Sequence, residues 1–563
     1  MNLDEMLGSL TVGGDVTIDL EANHPLYDDY IKTWQMSRDV CQGEKAVKKR
    51  TTEYLAKLSG QTEEEYYKYL QRAVFYNASY RTKESYLGHI FRKDVRKHWK
   101  LNGEESVEFS EKMEKLFQNV TTDGLSLNNF IHQLTEEVII TNRVGVLIDI
   151  PTIADMANEP SMTLEDYKKR KPIFIKYNTE SIKNWHVEYY NGQVLPVLVV
   201  LYEPREQFTR NSLVQEQKPA YRILFLENWD NLEKRQYKVI TIITDPATGR
   251  KKVESIQVPK HNGQSIKSLP FYMLTDKGID FREVHNSMMY DLASLNLAHY
   301  RNSADLENEL HSVSLKTICF PGWDKSTYGE PKIGGGLACP PDNIPVLLEP
   351  TSDSSIREEM ILKEQRLAVL GSERISMKGK YVASAETANI TASSEASVLQ
   401  NMVVNLSGAL TQIVKRWLEW YEIVLDYEFG GKVDTDIVVN SSFFHHSISG
   451  ADLLNYVQAL QSGGISRETY YYALDQREVY PNGHTPAMEW EAIDKTADLY
   501  LDRAIEKLSN GSIDNPIFKQ KAEEMGLEID NKVTQTSGVL GVPGRGEDQT
   551  VRPRGDKPNI RIS

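Results

Sequence analysis

The side chains that could do chemistry are scattered along this 563-residue chain rather than gathered. Asp434 and Asp436 alternate, as two ligands on one strand face would, and such a pair could bind a metal. No third ligand stands at a suggestive spacing, so an ordinary solvated strand face is the preferred reading. His445 and His446 are adjacent and would point to opposite faces of a strand, which suits structural or surface histidines. Gly379 and Lys380 resemble the end of a phosphate loop. However, Tyr381 stands where a metal-binding Ser or Thr belongs, and Arg374 where the first glycine belongs. Gly334, Gly335 and Gly336 lie among prolines and open no helix, against a dinucleotide site. No HExxH and no GxSxG occurs. Cys41, Cys319 and Cys339 are far apart with no CxxC pair, so neither a zinc ribbon nor a disulfide framework is signalled, and a reducing compartment is expected. The chain is therefore expected to have no catalytic residue, metal or cofactor, and not to be an enzyme.

Two basic groups remain. Arg81, Lys83, Arg92, Lys93, Arg96, Lys97 and Lys100 cluster with Tyr80, Tyr86, Phe91 and Trp99, against only Glu84 and Asp94. That mixture could grip nucleic acid. A solvated helix face paired with Glu104, Glu105, Glu108 and Glu111 is the preferred alternative. The second group, Arg374, Lys378 and Lys380, lies in the polar run SERISMKGKYVAS. The whole chain has 65 Lys+Arg against 80 Asp+Glu, a net charge of −15, which argues against a surface that coats nucleic acid throughout. A local basic patch, or a channel that DNA must pass without sticking, is compatible with it.

The elements that must position these residues read as follows. Hydrophobic residues make up 40% and charged residues 26%, enough for a sizeable core. At about 150 residues per domain the length suggests about three to four domains' worth of chain. Residues 1–23 read as a loose extension, without the basic and apolar regions of a secretory signal. The longest apolar run, Val194 to Tyr202, contains Pro196 and falls far short of the ~20 residues of a membrane span. Residues 24–130 read as mostly helical. Residues 144–275 carry strand signals, with Asp245 to Arg250 as a hairpin loop. From Phe281 to His311 apolar residues recur at three- and four-residue steps, predicting a helix of ~40 Å. Residues 312–353 hold six prolines and read as loops with short strands, SLKTICF and IPVLLE. A second helix follows, opened by Ser355 with Glu358, paired by Glu359 and Lys363, and stopped by Gly371. Leu399, Val403, Leu406, Leu410, Ile413, Trp417, Trp420 and Val424 then alternate four- and three-residue steps along a long helix that ends at Gly430. Capped helices are expected to about residue 530, and 531–563 looks disordered.

This order of elements resembles the portal proteins of tailed bacteriophages, the ring-forming head-to-tail connectors. The N-terminal stretch is similar to the opening of one portal subgroup, that of short-tailed-type phages, through Trp34, Arg38, Asp39, Gly43, Val47, Lys48, Tyr54, Leu55, Arg72, Arg81, Gly88, Phe91, Arg92 and Lys93. Further similarity lies in LNLAHYRNSADLENELH at 295–311 and SAETANITASSEASVLQNMV at 384–403. The resemblance covers about 24–430, and more loosely the rest. It departs at Ala56, where proline is expected, and at Lys83 to Tyr86, where the family pattern is small and apolar.

The resemblance implies an α+β, predominantly α, portal fold. Its parts would be an N-terminal extension (1–23), a wing (24–280), stem helices at 281–311 and 354–371 bracketing a clip (312–353), a tunnel loop (372–384), a long wing or crown helix (385–430), a crown (431–530) and a C-terminal tail (531–563). It implies a dodecameric ring at one capsid vertex of the virion, assembled in the host cytoplasm, through which double-stranded DNA is packaged and ejected. Its implied partners are the major capsid protein, the separate terminase packaging motor, and adaptor or neck proteins at the clip, with no membrane. The resemblance names no DNA-contacting residue. Arg374, Lys378 and Lys380 are candidates on charge and position, the alternative being a solvated loop on the outer surface. Twelve copies at −15 each would repel the duplex from the channel wall while sparse lysines touch phosphates without sequence readout. Another virion connector ring, such as an adaptor, and a nucleic-acid-processing enzyme are the other readings.

Overall fold

The structure is a computed structural model. It describes residues 7–12, 14, 16, 18–150, 165, 168, 170–208, 215–245, 249–261, 264–313, 317–322, 324, 326, 336–339, 345–348, 354–371, 385–441, 443, 450–476, 489 and 492–493. The chain divides into two compact units, Met1–Ala487 and Met488–Ser563. All elements below belong to the first.

Capping residues set the N-terminal helices. Helix α1 (Pro25–Gln42) starts where His24 Nδ1 accepts the Leu26 N–H and Pro25 supplies a preset first turn. Helix α2 (Glu44–Lys49) follows Gly43. Helix α3 (Glu63–Arg72) has a full capping box between Thr62 and Glu65. Helix α4 (Ala78–Ile90) is capped by Asn77, and strand β1 (Arg96–Leu101) comes next. Ser106 caps α5 (Val107–Leu116), and Ser126 caps α6 (Leu127–Thr141). Asn142, at φ 58°, ends α6 in the left-handed region that Asn tolerates.

Two antiparallel sheets form the body. Strands β2 (Val144–Asp149) and β3 (Ile173–Asn178) belong to a four-stranded sheet. Strands β4 (Ile182–Tyr190) and β5 (Gln193–Tyr202) belong to a five-stranded one. Strands β6 (Arg205–Phe208) and β7 (Gln215–Lys218) form a separate hairpin before β8 (Ala220–Glu227), β9 (Gln236–Thr244) and β10 (Lys251–Gln257). Short β11 (Lys260–His261) and β12 (Gln264–Ser265) lead to β13 (Phe271–Thr275) and β14 (Gly278–Ile279). The sheet orders are β14-β13-β2-β3 and β10-β9-β8-β5-β4. The loop at Asp245 to Arg250 joins β9 and β10 as predicted, with the Asp245 N–H donating to the Arg250 carbonyl at 2.8 Å.

The longest apolar run of the sequence is explained by its place in β5. Val197, Val199 and Leu201 face the main core, whereas Leu198 and Val200 face a second cluster on the other side. A strand covered on both faces reads as continuous rather than alternating. The N-terminal segment supplies part of the cover. Leu7 and Leu20 are buried against Ile223, Phe225 and Ile242, and the Val16 N–H donates to the Lys251 carbonyl at the sheet edge. The expectation of a loose extension over 1–23 is thus corrected for its described residues. Five apolar side chains, Leu7, Leu10, Val16, Ile18 and Leu20, spaced along a polar stretch pack on this cluster.

Helix α7 (Tyr290–Val313) leads to a small mixed sheet, β15 (Thr317–Pro321), β16 (Gly336–Cys339) and β17 (Val346–Leu348), in the order β16-β15-β17. Helix α8 (Ser354–Leu370) then returns and packs on α7. Helix α9 (Ala385–Trp420) spans 36 residues and α10 (Glu422–Phe429) follows after Tyr421. Leu399, Val403, Leu406, Leu410, Ile413, Trp417, Trp420 and Val424 are all buried. Strand β18 (Val433–Val438), α11 (Gly450–Gln461) and α12 (Arg467–Gln476) complete the unit.

Three boundaries differ from expectation. The helix predicted from Phe281 starts at Tyr290. Phe281 and Val284 are buried from a loop, and apolar spacing alone cannot tell that from a helix. The helix over 385–430 is broken at Tyr421. Residues 433–438 fall in the stretch expected as a helical crown but form a strand paired with β1, in keeping with the strand-face reading of Asp434 and Asp436 and with 24–130 being mostly helical. The tunnel-loop stretch 372–384, most of 477–530 and the tail 531–563 lie outside the described residues.

Candidate nucleic-acid and assembly surfaces

The α7–α8 hairpin is bolted to the N-terminal helices. Asn296, fully buried in α7, accepts the Ser79 N–H at 3.3 Å and donates to the Tyr76 carbonyl at 2.9 Å. Ser303 accepts the Val74 N–H, and Asp305 accepts the Tyr69 hydroxyl at 2.6 Å. The Arg301 guanidinium donates to the Tyr54 carbonyl. Within the hairpin, His299 Nε2 and Glu364 lie 3.1 Å apart. At its end, Gly371 sits so close to α4 that a Cβ would lie 2.4 Å from Thr82 Oγ1 and 2.9 Å from the Leu367 carbonyl. The resemblance stretch 295–311 is therefore a seam of α7 contacts, and its Asn and Ser are there to meet buried backbone groups.

The basic cluster at 81–100 is not one face. It is divided between α4, a loop and β1, and its described pairs are internal. Lys83 is buried and bonds to Glu136 at 2.5 Å and Glu84 at 2.9 Å. Burial opposes its charge, but those two carboxylates outweigh it and hold its pKa above the usual lysine value. Lys97 bonds to Glu114 at 2.7 Å and Lys100 to Asp436 at 2.8 Å. Trp99 is fully buried, its indole donating to Glu114, and cannot stack on a base. Lys83, Lys97 and Lys100 are thus paired, but by Glu84, Glu136, Glu114 and Asp436 rather than by the expected Glu104, Glu105, Glu108 and Glu111. Apart from Glu84, those partners are distant in sequence and only the fold reveals them.

Asp434 and Asp436 share β18 with Lys415 and Lys100 as counter-ions. Lys415 Nζ lies 3.2 Å from Asp434 and 3.6 Å from Asp436. The Lys100 hydrogen bond is the main cause that holds the Asp436 carboxyl below its usual range. Among the described residues, no group of three or more His, Cys, Asp or Glu is placed to hold a metal ion. His445 and His446 lie outside the described residues, as do Arg374, Lys378 and Lys380. The elements that flank the latter three are described: α8 ends at Gly371 against α4, and α9 begins at Ala385.

The knob brings two cysteines together that the sequence keeps twenty residues apart. Strands β15 and β16 are parallel, with Cys319 opposite Leu337 and Cys339 opposite Pro321. Burial and a hydrogen bond with Cys319 raise the Cys339 thiol pKa. Exposed Ile318, Val346 and Leu347 leave this sheet with apolar surface.

Two arginines that tie elements together were missed by spacing arguments. Arg38 in α1 bridges Glu137 of α6 and Glu180 before β4, an arrangement that raises its pKa because the carboxylates more than offset burial. Arg143, 1% exposed, stacks 4.3 Å over Trp185, which also stacks on His24 at 3.9 Å. Burial lowers the Arg143 pKa to about 10. Arg38 does appear among the residues of the family resemblance, which was the only signal available for it.

Residues 288–421 match a family model described as a domain of unknown function (DUF4055). The matched stretch runs from the start of α7 to the end of α9 and takes in the knob. No curated protein matches the chain. Among solved structures, the chain is similar to one in the "Neck of empty GTA particle computed with C6 symmetry" at 10% identity, covering 71% of this chain and 88% of that chain, TM-score 0.31. It is also similar to one in the "Virion of native gene transfer agent (GTA) particle" at 10% identity, covering 76% and 92%, TM-score 0.29. Such low scores carry no functional weight, and the architecture of this chain itself must supply the argument.

Proposed function

We propose that this chain is a portal-type subunit of a phage-like virion, forming a homo-oligomeric ring at one capsid vertex that DNA crosses during packaging and ejection. The observation that carries this is the α7–knob–α8 insertion between an α+β body and a 36-residue helix. Two helices that pack on each other bracket a small sheet, and the chain then enters a long helix with one buried face. Such an insertion suits a subunit that must present one end to a neighbouring protein and a rigid face to its own copies. The knob, residues 312–353, would dock adaptor or neck proteins and the packaging motor, with the capsid protein around the body. The loop 372–384 would carry Arg374, Lys378 and Lys380 to the channel axis, in a dodecamer assembled in the host cytoplasm. A net charge of −15 per copy favours a wall that does not retain DNA. The internal pairing of Lys83, Lys97 and Lys100 and the burial of Trp99 weigh against a nucleic-acid enzyme built on the 81–100 cluster.

The test is direct. Purified protein is sized by light scattering and imaged in negative stain. Rings with a central hole are expected, and a uniformly monomeric protein at micromolar concentration would overturn the reading. An adaptor is distinguished by adding the packaging motor, which should bind a portal ring at the knob and not an adaptor ring.

A further inference from the structure

We propose that Cys319 and Cys339 are a reversible disulfide site, and that the bond between them locks the outer strand of the knob to its central one. This goes beyond the ring reading and does not depend on it. The two thiols stand twenty residues apart in sequence, on the neighbouring strands β15 and β16. The parallel register sets Cys319 opposite Leu337 and Cys339 opposite Pro321, so the cysteines are diagonal neighbours two residues out of step. Side chains alternate along a strand, and a two-residue step returns to the same face. Both thiols therefore project from one side of this sheet, where they are hydrogen-bonded to each other. Both are free and only half-buried. Cys41, the third cysteine, is 3% exposed in the main core, and burial pushes its thiol up to about 12, which keeps it out of thiol exchange.

The strand that such a bond would hold is weakly held otherwise. Strand β16 has four residues, opens on Gly336, and lies at an edge of the described sheet, paired with β15 alone. Parallel pairing is slightly less stable per residue than antiparallel, and glycine adds no packing. The register also sets how firmly the bond holds. Strands ~4.8 Å apart with a rise of ~3.3 Å per residue put such diagonal Cα atoms about 8 Å apart, and sheet twist shortens one of the two diagonals. A disulfide needs less than about 7 Å. Closure therefore draws β16 along β15 by about an ångström, and a bond made at that cost is reduced more readily than a structural disulfide. The knob thus has two states, set by the surrounding thiol–disulfide poise. A small disulfide, oxidised glutathione, is the oxidant. Burial and the hydrogen bond with Cys319 hold Cys339 protonated, which leaves the Cys319 thiolate to attack first. One glutathione leaves and takes up a proton. Cys339 then gives up its proton and attacks the Cys319 sulfur of the mixed disulfide, and the second glutathione leaves. Two protein thiols have lost two hydrogens, and two glutathione thiols have gained them.

The full-length chain tests this directly. It is equilibrated in buffers of reduced and oxidised glutathione, alkylated, and digested with trypsin. In oxidising buffer the peptides 317–325 and 333–357 should appear as one linked species, lighter than their sum by two hydrogens. Excess reduced glutathione should return them to separate alkylated peptides. Amide exchange over 336–339 should slow about tenfold in the oxidised protein. Cys319→Ser and Cys339→Ser, each at a half-buried position, should keep the far-UV circular dichroism of the parent and lose both the link and the slowing. Absence of the link in oxidising buffer, or a separate glutathione on each cysteine, would overturn the site. A link between two copies, seen as a doubled mass on a non-reducing gel, would overturn it too. A link that excess glutathione fails to break would overturn the reversibility, and equal amide exchange in both states would overturn the lock. None of these readouts depends on whether the chain forms rings.

Discussion

Leu406 and Val404 stand two residues apart on α9 and should answer truncation very differently. Leu406 is 0% exposed and belongs to the main core, whereas Val404 is 54% exposed. Replacing Leu406 by alanine removes three carbons from a packed interior. The transfer loss alone is about 2 kcal/mol at ~0.8 kcal/mol per carbon. The cavity adds to it, because α9 is held on both sides of the site by Val403 and Leu410 and cannot collapse inward, so a total of about 3 kcal/mol is expected. Val404→Ala should fall within about 0.5 kcal/mol of the parent. Urea unfolding followed by tryptophan fluorescence measures both, since Trp417 on the same helix is fully buried with its indole donating to the Pro172 carbonyl at 2.6 Å. A Leu406→Ala loss below about 1 kcal/mol, or an equal loss at Val404, would refute the placement of the stripe.

Gly371→Val should destabilise the hairpin by about 2 kcal/mol or more, because its side chain meets the Leu367 carbonyl as well as Thr82; adding Thr82→Ala should recover only part of this in the same unfolding assay. His24, His89 and His261 all lie below the ordinary histidine pKa of 6.5, burial being the largest cause and Arg143, Arg92 and Arg416 respectively the next. Groups lowered on folding give stability that is complete above pH 6.5 and lost as pH falls through their folded values, so Tm should drop between pH 7 and pH 5. His24→Asn keeps a capping acceptor without a titrating ring and should flatten part of that slope. Lys378→Glu with Lys380→Glu should leave assembly unchanged and reduce packaged DNA, and normal packaging by that variant would refute the channel placement.

The sequence exposed what local periodicity encodes. The buried stripe of α9, the β9–β10 hairpin and the Glu359–Lys363 pair at 3.6 Å are all short-range facts. What it concealed is what long-range pairing decides. Lys100 finds Asp436 across 336 residues, and β1 finds β18 across a similar gap. No spacing rule reaches that far. The start of α7 was misplaced by nine residues because Phe281 and Val284 are buried from a loop and mimic a helix turn. The N-terminal strap was misjudged because polar composition hid Leu7 and Leu20, each of which finds a site on the outer sheet face.

The distribution of charge separates the body from helix α8. In the body, arginines and lysines are spent on the fold: Arg38 on Glu137 and Glu180, Lys83 on Glu136, Lys97 on Glu114, Arg222 on Asp149 at 3.0 Å. Such cations are already neutralised, and a passing phosphate would have to compete with a carboxylate a few ångströms away. On α8 the pattern reverses, since Arg357 and Arg366 border exposed isoleucine, leucine and valine and meet no described carboxylate. Apolar side chains at the centre with arginine at the edges is the composition of a protein–protein contact rather than of a DNA-binding face, which would place its cations along a polar groove. The exposed side of α8 therefore suits a protein contact better than a DNA contact. Lysines that stand without a neighbouring acid in sequence include those between Ile375 and Ala385, which is why Lys378 and Lys380, and not the paired cations of the body, are the ones the charge-reversal experiment addresses.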